Sequence, residues 1–94
     1  MRTDPLMFEG TQIAARYPTG DRPWLDAQAL CTLLGYGDWQ RALLEHCYPA
    51  EILFGDGEIP QAFISLSSLQ RLSARVPGPR AQRLHQWSRA LAQR

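Results

Sequence analysis

The stretch PWLDAQALCTLLGYGDWQRALLEHC, residues 23–47, decides the fold. Asp26 is placed to cap a helix, its carboxylate accepting from the free N–H groups of the first turn. Ala27, Leu30, Cys31 and Leu34 then recur at helical spacing on one face, and Gly35 offers a left-handed stop. Asp38 repeats the capping signal for a second helix to about Cys47, with Trp39, Ala42, Leu43 and His46 on one side. Two short amphipathic helices around a Gly-Tyr-Gly break therefore form the middle of the chain.

Outward from this centre the turn signals divide the rest. On the N-terminal side, LMFEGTQIAARY reads as a hairpin: Leu6 and Phe8, a Glu9-Gly10 turn, then a strand from Ile13 to Tyr17. PTGD (Pro18–Asp21) is a second turn, after which Pro23-Trp24-Leu25 returns as a short strand. On the C-terminal side, EILFGDGEIPQAFIS predicts a hairpin with Asp56-Gly57 in a tight turn. Pro60 has no N–H for a ladder, so its strand is expected at a sheet edge or at a bulge. Ser65 or Ser67 can cap a helix carrying Leu66, Leu69 and Leu72; VPGP (Val76–Pro79) breaks it, and a last helix starts near Arg80. No repeat or low-complexity tract interrupts the order. The order predicts an α+β fold: a small, mainly antiparallel sheet built from hairpins and packed with about four short helices.

Ninety-four residues with 45% hydrophobic content read as one folded domain spanning 1–94. No apolar run reaches the roughly 20 residues of a membrane span, and MRTDPLMFEG lacks the apolar core of a signal peptide. With two cysteines and no export signal, the expectation is a reduced, cytoplasmic protein without a membrane partner. Charge is more informative than its total of +1 suggests. Residues 1–70 hold four arginines and all nine acids, a net −5; residues 71–94 hold six arginines and no acid, a net +6. An acid-free basic segment is a footprint for a polyanion or an acidic protein face, unless the acids of the first part reach across and pair with it.

Cys31, His46 and Cys47 raise the question of chemistry. A structural metal site announces itself through paired short spacings, and none of Cys31, His46, Cys47 and His85 has such a partner. Adjacent His46 and Cys47 diverge by about 100° on a helix. Cys31, set among leucines, reads as a buried, unligated thiol. No oxyanion loop or phosphate-binding glycine motif is present, so neither an enzyme nor a cofactor is expected. A standard helix-turn-helix is strained too, because Arg41 falls where the second helix should point inward. Arg41 reads better as an exposed residue meeting a partner.

Pro23-Trp24, Ala27, Leu30-Cys31, Leu34-Gly35-Tyr36, Arg41-Ala42-Leu43 and His46 together resemble the signature of the Bro-N domain. This is the N-terminal domain of baculovirus BRO proteins and of bacterial prophage antirepressors. FISLSSLQRL (63–72) resembles the family's helix start, and Ala81, Leu84 and Trp87 resemble its last helix, so the likeness spans roughly residues 6–92. Gln28-Ala29 departs from the family's lysine-aspartate pair, Ser68 from its glycine and Gln70 from its tyrosine. The resemblance implies a double-stranded DNA-binding domain used in transcriptional regulation or repressor antagonism. The arginines assigned to contact are Arg41, Arg71, Arg75, Arg80 and Arg83, four of them gathered around the VPGP bend. The competing expectation is a module that binds a repressor or other regulator without touching DNA. Pairing into a homodimer is also expected, through an exposed hairpin edge near Pro60.

Overall fold

A computed structural model describes residues 4–18, 20–55 and 57–93. Strands β1 (Leu6–Phe8) and β2 (Thr11–Ile13) form a hairpin in which Phe8 faces Thr11. Both residues between them have positive φ, Glu9 at 49° and Gly10 at 82°, which gives the twist a two-residue hairpin needs. The strand expected from Ile13 to Tyr17 divides. Ala14 leaves the ladder to accept from the Asp26 N–H at 2.9 Å, and β3 (Ala15–Arg16) joins a second sheet instead.

That sheet is fully antiparallel, in the order β3, β4 (Trp24–Asp26), β6 (Ala62–Ile64), β5 (Ile52–Phe54). Side chains alternate across it. Ala15, Leu25 and Ile64 face the helices and are buried, as is Ala62. Phe63, on the other face, is buried beneath the Arg16 guanidinium, 4.3 Å from its ring centre.

The quoted stretch folds as its caps dictate. Asp26 accepts from the Gln28 N–H at the start of α1 (Ala27–Leu34). The helix ends in a Schellman arrangement: Gly35, at φ 88°, donates to the Thr32 carbonyl and Tyr36 to the Cys31 carbonyl. Asp38 accepts from the Arg41 N–H and opens α2 (Trp39–His46). A 3-10 turn (Pro49–Glu51) leads into β5. Ser65 caps α3 (Leu66–Ala74), and α4 (Pro79–Ala92) follows the VPGP bend. Leu25, Leu30, Ile64, Leu69, Leu72 and Leu84 are fully buried in one cluster shared by the sheet and all four helices.

Two expectations for the C-terminal hairpin need correction. Its strands stop at Phe54 and Ala62, so the connection runs over residues 55–61 and is no two-residue turn. Asp56, half of the expected turn, lies outside the described residues. Pro60 stands before the ladder, and β6 is an inner strand; the hairpin's edge strand is β5. The missing N–H of Pro60 therefore costs the sheet nothing.

Candidate nucleic-acid interface

Arg71, Arg75, Arg80 and Arg83 lie around the VPGP bend, but two of them are held by acids from the first part of the chain. Arg71, on α3, pairs with Glu51 of the 3-10 turn and donates to the His46 carbonyl at 3.4 Å. Its guanidinium also sits 4.6 Å from the Tyr48 ring centre. Ser68 donates to the same Glu51 carboxylate at 3.1 Å, so Arg71 belongs to a half-buried network binding α3 to the segment before β5. Arg83, on α4, pairs with Glu9 at the tip of the first hairpin. This hydrogen bond is the main reason that the Glu9 carboxyl is held below its ordinary range; the charges of Arg83 and Arg80 add to it. The same hairpin meets α4 through an edge-to-face contact of Phe8 with Trp87 at 5.5 Å.

Arg41 is well exposed on α2, as expected, but not unengaged. Its Nε donates to Glu45 at 2.8 Å, one turn along the helix. Of the two outcomes open to the basic segment, Arg71 and Arg83 take the pairing with acids of the first part, and Arg41 is paired locally. Arginines lose little by pairing with any carboxylate within reach, and folding brings Glu9 and Glu51 within reach.

Arg75, Arg80 and Arg89 are different. All three are exposed, and no acid among the described residues lies within ion-pairing distance of them. Arg75 and Arg89 line an open cleft of about 720 Å³ between the end of α3 and the outer face of α4, with Gln82, His85 and Gln86. Arg80 lines a second cleft, of about 360 Å³, with Arg83. Val76 and Pro77 border both, so the bend forms the ridge between two arginine-bearing hollows. At the floor of the first, Ser73 Oγ and His85 Nδ1 share a hydrogen bond of 3.0 Å. Ser73 is buried and also donates to the Gln70 carbonyl at 3.2 Å, an arrangement suited to tying α3 to α4.

The start of α4 adds backbone to this chemistry. Gly78, at φ 115°, and Pro79 begin the helix with no side-chain cap and no acid in the first turn. The first N–H groups are left without a capping carboxylate, and Arg80 and Arg83 crowd the positive end of the helix dipole. Helices ordinarily place acids there. An anion at this end would satisfy both the N–H groups and the arginines.

The cysteine and histidine cluster contains no group of three ligating side chains able to hold a metal ion among the described residues. Cys31 and Cys47 are both buried, free thiols. Burial, with smaller contributions from Cys47 and Asp26, pushes the Cys31 thiol up to about 12, far from a reactive thiolate. His46 lies against Tyr36, their rings 5.9 Å apart, and its buried Nδ1 has no hydrogen-bond partner.

Arg89 is the cleft arginine that the spacing of the sequence did not single out, since it stands apart from the bend by two and a half turns. Its alignment with Gln82 and Gln86 at helical spacing was the available signal. No family model, curated protein or solved structure matches the chain.

Proposed function

We propose that the chain is a non-enzymatic DNA-binding domain of a phage- or prophage-type transcriptional regulator or antirepressor, contacting duplex phosphates through Arg75, Arg80 and Arg89. One observation carries the reading: three exposed arginines have no acid partner among the described residues. Arg75 and Arg80 stand on either side of the bend that leads into the uncapped start of α4, and Arg89 stands further along α4, lining one cleft with Arg75. Guanidinium groups and helix N-termini are the usual donors to phosphate oxygens, and such contacts position a protein without reading sequence. The resemblance of residues 6–92 to the Bro-N domain points the same way. Arg83 is a fourth contact where a phosphate displaces Glu9, and Arg41 a fifth where a base edge displaces Glu45.

The second reading, a module that binds a repressor or other regulator without touching DNA, draws on the pairing of Arg41, Arg71 and Arg83 with acids. Titration of a labelled random-sequence duplex, followed by anisotropy at several salt concentrations, separates the two. Three phosphate contacts give a slope of log K against log salt of about −2.7. Absence of salt-sensitive binding at low ionic strength would remove the DNA reading and leave the interaction module.

A further inference from the structure

The β5 edge of the second sheet lies beside an apolar groove. Trp39, Leu43 and Leu44 of α2 line it from one side, Ile52 and Phe54 of β5 from the other, and Pro60 closes one end. Leu44, Phe54 and Ile59, among the most exposed large apolar side chains of the described residues, at 81, 69 and 80%, stand on or next to it. Knobs and hollow thus occupy one patch, which suits a surface that meets itself about a two-fold axis.

The backbone makes the occupant specific. Gly55 donates to the Gln61 carbonyl at 2.8 Å and Ser65 to the Glu51 carbonyl at 3.1 Å, so Glu51, Leu53 and Gly55 turn their polar groups towards β6. Alternation then turns the C=O of Ile52 and the N–H and C=O of Phe54 outward, to an edge no other strand covers, while the Ile52 N–H closes the 3-10 turn on the Pro49 carbonyl. The edge segment Ile52-Leu53-Phe54 carries neither charge nor proline, the devices that ordinarily blunt such edges. A second β5, antiparallel and centred on Leu53, pairs each Ile52 with the Phe54 of the other copy, each Phe54 N–H donating to the Ile52 carbonyl across the axis. Both side chains lie on the groove's face of the sheet, so each exposed Phe54 is set down beside the partner's Ile52.

Charge agrees with this arrangement. The outer face of α2 carries Arg41 and then Glu45, both exposed. The two pair with each other, so this face brings no net charge against a second copy. A stable interface covers about 800 Å² of each partner, roughly a seventh of the 5903 Å² surface here.

We propose that the chain forms a two-fold homodimer by antiparallel pairing of its β5 strands, with Phe54 and Leu44 packed across the axis. The proposal is independent of DNA binding and is tested without DNA. Sedimentation equilibrium from low to high micromolar concentration should show wild-type protein passing from 10.7 kDa to twice that mass. Phe54→Glu, at an exposed position, should hold the protein monomeric, with a melting temperature equal to that of wild type at concentrations too low for it to pair. Leu53→Cys should give a disulfide-linked dimer under mild oxidation, because non-hydrogen-bonded partners lie about 4.5 Å apart at Cα, within reach of a disulfide. Wild-type monomer throughout the range overturns the proposal and leaves the groove to a different chain. Dimerisation undiminished by Phe54→Glu, or no Leu53→Cys cross-link in a protein that does dimerise, overturns the assignment to β5.

Discussion

Arg71 and Arg75 stand one helical turn apart at the end of α3, yet their surroundings give them different work. Arg71 is spent on Glu51, the His46 carbonyl and the Tyr48 ring, whereas Arg75 faces an open cleft with no acid partner. Arg71→Ala strips a charged partner from the half-buried Glu51 and should lower stability by about 1–3 kcal/mol in denaturant unfolding. Arg75→Ala should leave the unfolding midpoint within about 0.5 kcal/mol of wild type. Equal losses in the two variants would contradict the division. Cys31 supplies a second test at this scale. Its folded thiol holds its proton to about pH 12, while the unfolded thiol ionises near pH 8.5. The folded pKa is the higher, so this contribution to stability is complete below about pH 8.5 and erodes as pH rises towards 12, by at most about 1.4 kcal/mol per pH unit. Melting temperatures between pH 8 and pH 11 should therefore fall more steeply for wild type than for Cys31→Ala; parallel curves would contradict the burial. At pH 8, thiol labelling of native Cys31 should be slow, limited by opening of the core.

At the scale of elements, the Gly35 stop joins the two central helices. Nothing lies within 4 Å of a Cβ added there, so the only obstacle to a side chain is the left-handed backbone. Gly35→Ala should cost about 1–2 kcal/mol with no change of fold, measured by thermal melting; a neutral substitution would contradict the cap. What the sequence made legible was local. Asp26, Gly35, Asp38 and Ser65 announce their helix ends because each acts within one turn of itself, and the leucine spacing marks the buried faces. The fate of the arginines was not legible, because Glu9 and Arg83 are 74 residues apart and only the closed fold brings them together. The same holds for the strand after Glu9-Gly10: its split between two sheets is decided by Asp26 bonding to Ala14, a tertiary contact with no local signal. Pro60 was correctly read as unfit for a ladder, but a longer connection, not an edge position, is how the chain accommodates it.

Over the whole molecule, a radius of gyration of 12.2 Å matches what this length of chain gives when folded around one core. No helix among the described residues is long and apolar enough to cross a membrane. The chain therefore displays two contrasting surfaces, an arginine-bearing bend between α3 and α4 and an apolar groove between α2 and β5. On the reading advanced here the first meets phosphate and the second meets another copy, so that a dimer carries two sets of arginines. In the proposed function Arg75, Arg80 and Arg89 bind DNA while Arg71 maintains the fold. The most direct test is the salt slope of duplex binding for the four single alanine variants, each first shown to be folded at the assay temperature. Arg75→Ala, Arg80→Ala and Arg89→Ala should each make the slope shallower by about one per bound chain, on every sequence tried, while folded Arg71→Ala keeps the wild-type slope. A slope unchanged in the first three variants, or reduced only by loss of Arg71, would contradict that function.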